Sequence, residues 1–524
     1  MPSLIRTAAA LRHSLWGAAL LLLLGGCASV NFDYPKEESS FVADTADTYL
    51  GKRVAAAKPA SPGESAFLLQ NDGVDALAAR VLGSFHAEKT IDVQYYLIKA
   101  DPFGYLFIEA LLEAADRGVR VRVLLDDVFT EGYDEGLAAL DDHPNVEIRI
   151  WNPVARGGSR FWNGLFDVSR VNRRMHNKTF IVDNQVAIIG GRNIAAEYFA
   201  GREDRNFGDL DVITFGPIVT ELSIMYDTYW NDRLAVPVEA IINLPDNVKE
   251  IDARLRVQIK EARDLLGATH YGQVLLGRVW RLEMDKAGTF EWAPWQLVYD
   301  LPDKSRKGNK LEQDDTIVAP LRRTLEGAQE SVVILSPYFV PRKNGMALLR
   351  SLAERGVDVT VVTNSLASNN QKLVHAGYAP IRKKLLEAGV KLYEVRPDAR
   401  PFGVEALDEK QQDGSTGTMH IKAFMVDRRY VFVGSFNFDP RSANINTESG
   451  VIIDSPELGE WGVNRVYESL PRKAYELKLT DNYKLRWHAF DDGTEVIFDK
   501  EPKTTGWERF KVRLWSILPI KGQL

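Results

Sequence analysis

The chain is short of cysteine: its 524 residues include one, Cys27. No intramolecular disulfide can form, so stability must come from packing, even in an oxidising compartment. Positive charge is also in deficit, with 65 Lys and Arg against 72 Asp and Glu and a net charge of −7. The chain as a whole is therefore no electrostatic magnet for nucleic acid or anionic lipid, although local basic patches remain open. Histidine is scarce at eight, and no dense His/Cys/carboxylate cluster calls for a metal; nothing calls for a cofactor. What is present is an ordinary globular composition, 45% hydrophobic and 26% charged. At this length two to four domains, or one large two-part unit, are expected.

The N-terminus stands apart. In MPSLIRTAAALRHSLWGAALLLLLGGCASV, Arg6 and Arg12 precede an apolar run that is short for a membrane span and bounded by small residues. The run ends in Leu24-Gly25-Gly26-Cys27, which resembles a bacterial lipobox. The resemblance implies a signal peptide over 1–26, cleavage before Cys27 and lipid on its sulfur. The protein would then sit on the periplasmic face of a bacterial membrane. Ala28, where an Asp would favour inner-membrane retention, leans the expectation towards the outer membrane. Residues 27–65, polar and carrying Pro35, Pro59 and Pro62, read as a tether or wrap-around arm.

The body of the chain is written twice. KTIDVQYYLIKADPFGYLFIEALLEAADRGVRVRVLLDD in the first half matches ESVVILSPYFVPRKNGMALLRSLAERGVDVTVVTNS in the second. Each reads strand, loop, amphipathic helix, Arg-Gly-Val, strand, with Gly118 and Gly356 where a helix should end. The strands after these glycines are nearly continuous apolar runs, as expected of a parallel sheet covered on both faces. We expect two duplicated α/β halves, 66–285 and 286–490, packed about a pseudo-twofold axis, with a C-terminal tail over 491–524.

Each half then carries a hairpin, RMHNKTFIVDNQVAIIGGRN and MHIKAFMVDRRYVFVGSFN. His176 and His420 each have Lys two residues on (Lys178, Lys422), Asp seven on (Asp183, Asp427), Gly fourteen on and Asn seventeen on (Asn193, Asn437). Residues two apart on a strand share a face, so each His and Lys point together. Turning near Asp183-Asn184 and near Asp427 brings Gly191 to Asn193 back beside His176, and Ser435 to Asn437 beside His420. An imidazole, an ammonium and a carboxamide then meet at one end of each hairpin, where glycine admits a ligand close to the backbone. That is half of an anion site, with Asn193, Asn437, Ser435 and Gly191 as phosphate contacts, and the twofold axis supplies the other half.

The paired spacing H-x-K-x4-D-x6-G-[GS]-x-N resembles the phospholipase D superfamily over roughly residues 65 to 490. RMHNK, GGRNI, GDLDV and GSFNFDPRSANINTE are closer still to bacterial cardiolipin synthases, in particular the C type. The resemblance implies the phospholipase D fold with one shared active site. One His attacks phosphorus and the other protonates the leaving alkoxide. Which does which is left open, because the two motifs are near-equivalent. The family's signature counts Asp183 and Asp427 among the catalytic residues. Their spacing instead puts them at the turns, about five residues past Lys and too far along a strand to reach phosphate, so a structural role is expected. Physical chemistry agrees with the rest: two Lys and two Asn can neutralise the non-bridging oxygens of a diester, and neutral and protonated imidazoles are a competent nucleophile and acid.

Aligning GDLDVITFGP with NTESGVIIDSP on Pro217 and Pro456 puts Asp209 on Glu448. Each is expected on a strand beside its His, taking the proton of the far ring nitrogen, with Asp211 as competitor to Asp209. VHAGY, which recurs in this family near the substrate pocket, makes His375 and Tyr378 candidate pocket residues. His86, His143, His270 and His488 have no repeat partner and read as surface or core. Aromatic stretches at 151–170 and 292–310 could meet lipid, as could the tail. There Trp507, Phe510, Leu514 and Ile517 form one helical stripe, a candidate interfacial helix. The charged helix expected over 244–272 shows no function.

The functional expectation is a phosphatidyltransferase that makes cardiolipin from phosphatidylglycerol and a second phospholipid through a phosphatidyl-histidine. Its partners are phospholipids and the membrane reached through Cys27, with no nucleic acid. A hydrolase releasing phosphatidic acid would use the same site. A nuclease is disfavoured by the net charge and the anchor, and a non-catalytic lipoprotein by the intact double motif. Oligomeric state leaves no mark on the sequence.

Overall fold

In a computed structural model the chain is described over residues 29–518, apart from 58, 60, 157–159, 161–162, 165–166, 244, 285–289, 308–314, 401–415 and 492. The signal-peptide and Cys27 expectations lie outside the described residues. Two large mixed sheets face each other. The first has nine strands, with Thr90–Tyr95, Arg120–Asp126 and Val146–Trp151 parallel and the hairpin Thr179–Val182/Val186–Gly190 added antiparallel. The second has ten, built the same way on Ser331–Leu335, Asp358–Asn364 and Lys391–Val395 with the hairpin Ala423–Val426/Tyr430–Gly434.

The repeat works locally as its sequence dictates. Helix Pro102–Asp116 starts on Asp101, whose carboxylate accepts from Phe103 and Gly104 N–H, with Pro102 at its first position. It ends before Gly118, which takes φ +99°; Gly356 takes φ +87° at the matching place. The strand that follows is buried from Val121 to Asp126. One of its faces meets the outer helices and the other the centre, which explains its nearly continuous apolar run, broken only by Arg122 paired with Asp92 and Asp227.

One hydrophobic cluster joins the halves: Ile189 and Val212 from the first sheet pack with Val433 and Val451 from the second. Helices Pro217–Trp230 and Pro456–Lys473 contribute Leu222, Met225, Val463 and Val466 to the same cluster. Separate clusters lie under the outer helices of each half.

The boundaries differ from the sequence reading in three places. Strand Glu291–Ala293 belongs to the first sheet, paired with Ser65–Gln70, so the chain passes to the second half at Pro294 rather than after 285. Strand Thr494–Phe498 extends the second sheet beyond 490. The segment expected as a tether is an arm laid on the first half. Lys36 Nζ donates to the carbonyls of Asp232 and Ala235, Arg149 reaches the Glu37 carbonyl at 2.6 Å, and Phe41 N–H meets Asp227 at 2.8 Å. Buried cations hold its backbone, which polar composition alone does not reveal.

Both hairpins turn at left-handed residues, Asp183 and Asn184 at φ 50°, Asp427 at 51° and Arg428 at 53°. The Asp carboxylates do not face the phosphate end. Asp183 accepts from the N–H groups of Glu88 (3.0 Å), Lys89 (2.7 Å) and Thr90 (2.8 Å). Asp427 does the same for Gln329 (2.9 Å), Glu330 (2.8 Å) and Ser331 (2.9 Å). The catalytic place implied for them by the family signature is thus replaced by a structural one: each seals the loop entering the neighbouring strand. An amide keeps one acceptor oxygen where the carboxylate has two, so Asp183→Asn and Asp427→Asn should each lose about 1–3 kcal/mol of stability. Denaturant midpoints will show this, while activity per folded molecule stays within a few-fold of wild type.

Candidate active site

The two hairpins deliver His176, Lys178, His420 and Lys422 to the interface between the halves. All four are buried, and His176 and His420 keep 8% and 4% of their surface exposed. Each Lys donates to the backbone carbonyl of its own motif's His at 2.6 Å.

The orienting carboxylates arrive crossed. His176 Nδ1 lies 2.8 Å from Glu448 Oε2, and His420 Nδ1 lies 2.6 Å from Asp209 Oδ2. Each imidazole is therefore held by the other half's carboxylate. The expectation that each would sit beside the His of its own half is corrected. Strand pairing between the halves is the cause. Thr416–Met419, leading into His420, runs parallel to Arg205–Gly208, leading into Asp209. His420 N–H then bonds the Gly208 carbonyl at 2.7 Å. On the other side Met175 bridges Thr447 in parallel, and His176 N–H bonds the Thr447 carbonyl at 2.9 Å.

Both carboxylates are further pinned. Glu448 accepts from the hydroxyls of Ser435 (2.5 Å) and Ser442 (2.7 Å), and its N–H donates to Asp300 (2.9 Å). Asp209 accepts from Leu210 N–H at 2.9 Å. Two expected phosphate contacts are thereby reassigned. The Ser435 hydroxyl is spent on Glu448. A Cβ on Gly191 would stand 2.3 Å from Asp209 Oδ1, so its missing side chain makes room for the carboxylate. Asp211, the competitor, pairs with Arg80 (2.9 Å) and Arg192 (3.3 Å) instead. Asn193 donates to Tyr198 Oη at 2.8 Å and Asn437 contacts Ser442, and the amide oxygen of each has no protein partner.

Burial dominates the electrostatics. It pushes His176 down to about 4 and His420 to about 3, with Lys178 and Lys422 adding to the effect against the pull of the carboxylates. Burial likewise lowers Lys178 to about 7 and Lys422 to about 8. Burial alone would raise Asp209 and Glu448, but the imidazoles and lysines beside them leave both lowered. The site thus holds neutral imidazoles, ionised carboxylates and lysines that an arriving anion would help to charge. With Nδ1 donating to the carboxylate, Nε2 carries the lone pair.

Several positioning residues escaped the sequence reading. Asp126 accepts from Met175 N–H at 2.8 Å, and Asn364 bonds both backbone groups of Met419, at 2.9 and 2.8 Å. Each thus fixes the residue before a His. Tyr96 meets the His176 ring edge-on at 5.0 Å between centroids, and Tyr338 meets His420 at 6.4 Å. The repeat held the signal, since VLLD aligns with VVTN and QYY with SPY.

His375 and Tyr378, candidate pocket residues, are not brought to the centre. His375 contacts Glu501 (3.3 Å) and Arg382 (2.6 Å), and Tyr378 packs on Phe339. Of the unrepeated histidines, His143 and His488 pair with Asp116 (3.1 Å) and Glu495 (2.8 Å), and His86 stacks on Tyr49. Trp151, in the first aromatic stretch, is core. Among the described residues no group of three or more His, Cys, Asp and Glu gathers as for a metal ion.

A family model described as cardiolipin synthase, PLD-like domain, matches residues 85–230 and 321–465. Cardiolipin synthase C of Escherichia coli K12 is 38% identical over 464 residues, covering 88% of this chain and 97% of that protein. An uncharacterised protein of Helicobacter pylori J99 is 32% identical over 514 residues, 95% of this chain and 97% of its own. The crystal structure of phosphatidylserine synthase from Haemophilus influenzae Rd KW20 has the same fold, with a TM-score of 0.56 at 15% identity over 89% of this chain and 96% of that one.

The crossed pairing makes a selective prediction. In protein with labelled histidine, Asp209→Asn should move the imidazole N–H resonance of His420 and spare that of His176, and Glu448→Gln the reverse. Each should lower turnover about 100-fold or more. A shift of His176 in Asp209→Asn would show that the carboxylates serve their own halves.

Proposed function

The chain belongs to the cardiolipin synthase family with phospholipase D-like domains, and we propose that it is a phosphatidyltransferase that joins two phospholipids into cardiolipin. The observation that carries this reading is the buried pair of imidazoles, each with its Nδ1 on a carboxylate of the opposite half. Two lysines stand beside them, as expected of a site for one phosphodiester.

The proposed reaction is two displacements. Nε2 of one His attacks phosphorus and the bond to the headgroup oxygen breaks. The other His, protonated at Nε2, gives its proton to the departing alkoxide. The diester's negative charge supplies the counter-charge that lets one imidazole hold that proton in a site where both are otherwise neutral. A hydroxyl of phosphatidylglycerol then enters, passes its proton to the same His and attacks phosphorus, and the P–N bond breaks. Lys178, Lys422, Asn193 and Asn437 would hold the non-bridging oxygens, where charge develops. Asp209 and Glu448 fix the tautomer and stabilise whichever ring is cationic.

We place the protein on a membrane through a lipidated Cys27, on the periplasmic face and more at the outer than the inner membrane. The tail supports a membrane-facing seat. Helix Gly506–Ser516 is held by a capping box at Thr505 and by Lys372 on Glu508 at 2.5 Å, and buries Val512 against Leu366 and Ala376. Trp507, Phe510, Leu514 and Ile517 remain exposed. Among the described residues no helix is long and apolar enough to cross a membrane.

Two measurements test the reading. Vesicles of phosphatidylglycerol, with and without phosphatidylethanolamine, should yield cardiolipin by mass spectrometry; phosphatidic acid alone would make the protein a hydrolase. Since Lys178 and Lys422 sit near 7 and 8 and the imidazoles near 4 and 3, kcat/KM should fall as pH rises through 7 to 8. It should hold to about pH 5 on the acid side. An acid limb near 6.5 with no alkaline limb would contradict the assignment.

A further inference from the structure

The first half contains a cavity of about 350 Å³ beside the catalytic centre, a size typical of a small-molecule site. Its floor is one face of strand Arg120–Asp126, namely Val121, Val123 and Leu125. Leu111 of helix Pro102–Asp116 walls it, and Leu255 of helix Val248–Gly267 lies over it. That last helix is the charged segment in which the sequence showed no function. Of the polar lining residues, Glu135, Arg254 and Gln258 are exposed and form a rim, while Asp126 and Thr130 are buried among the apolar side chains of the interior.

The cavity shares a wall with the site. Tyr96 lines it and also meets His176 at 5.0 Å and Lys178, whose Nζ is 5.5 Å from the ring centre. Asp126 lines it too and holds the N–H of Met175, the residue before His176. From Leu125 to Val121 the floor runs about 13 Å along the strand. The shape is thus long, mostly apolar, open at a polar rim and set against the phosphodiester site across the Tyr96 side chain.

The matching place in the second half is lined differently. Val359 and Val361, at the positions of Val121 and Val123, pack in one cluster with Phe339, Leu349 and Tyr378. Leu97 stands where the second half has Phe339. The larger Phe339 side chain at that place makes the two halves unlike beside their histidines.

We propose that this cavity takes one acyl chain of the phospholipid substrate, so that the diester approaches the paired histidines from the His176 side. The proposal rests on the phosphatidyltransferase reading for its ligand, but not on turnover for its test.

The probe is phosphatidylglycerol carrying a diazirine within one acyl chain, in vesicles with the full-length protein. After irradiation, label should map to peptides spanning Leu97–Leu112, Val121–Ile148 and Ile251–Gln258. A Cβ at Gly136, which lines the cavity, meets nothing within 4 Å, so Gly136→Phe can fill it. Leu255→Trp fills it from a different helix. Labelling of these peptides should fall at least ten-fold in each variant that melts as wild type does. Label spread elsewhere, or undiminished in the filled variants, overturns the proposal even if cardiolipin is made. Label in the cavity with no cardiolipin formed upholds the chain site and removes the transferase reading instead.

Discussion

Everything at the centre depends on two short parallel strand contacts between the halves. One sets Thr416–Met419 against Arg205–Gly208, and the other sets Met175 against Thr447. Each runs a histidine's approach beside the approach of the other half's carboxylate. Because side chains alternate along a strand, a slip of one residue would turn His420 away from Asp209. Neither half holds both members of an orienting pair, so neither has a complete site. The shared core of Ile189, Val212, Val433 and Val451 gives the pairing its rigid base. Asp126 and Asn364 then fix the residue before each His.

That arrangement sets the electrostatics. Two imidazoles, two lysines and two carboxylates share a buried volume, and burial disfavours every charge among them. The carboxylates stay ionised because they face cations and hydroxyls. The lysines and histidines are pushed towards neutrality because burial outweighs the pull of those two carboxylates. A phosphodiester is therefore not merely tolerated there, since its charge restores the protonation that the proposed chemistry needs. The cavity beside Tyr96 adds an apolar reach to the anion site, which is the pattern of a molecule with a charged diester and long chains.

The repeat made much of this legible from sequence. It fixed the two α/β halves, the turns at Asp183 and Asp427 and the equivalence of Asp209 with Glu448, because each depends on patterns within a few dozen residues. The crossing of the carboxylates was not legible. Strand contacts between segments as far apart as Met175 and Thr447 leave no local periodicity, and a symmetric repeat gives the same motifs whether carboxylates are kept or exchanged. Ser435 and Gly191 were misread for a related reason: at the end of a hairpin a hydroxyl or a missing side chain serves a phosphate or a neighbouring carboxylate equally well. His375 and Tyr378 were placed by family likeness alone, and their burial with Arg382 and Glu501 puts them in the packing of the second half. The arm over 29–57 needed knowledge of where Arg149 and Arg122 lie.

The most direct test of one site shared by both halves is to catch the intermediate. Protein mixed with phosphatidylglycerol labelled at phosphorus is quenched during turnover, and the covalently bound label is mapped by peptide mass spectrometry. The account predicts label on a single imidazole, His176 or His420, and no cardiolipin from either His176→Ala or His420→Ala. Turnover that persists in one of these variants, or cardiolipin made with no label ever reaching a histidine, would contradict it.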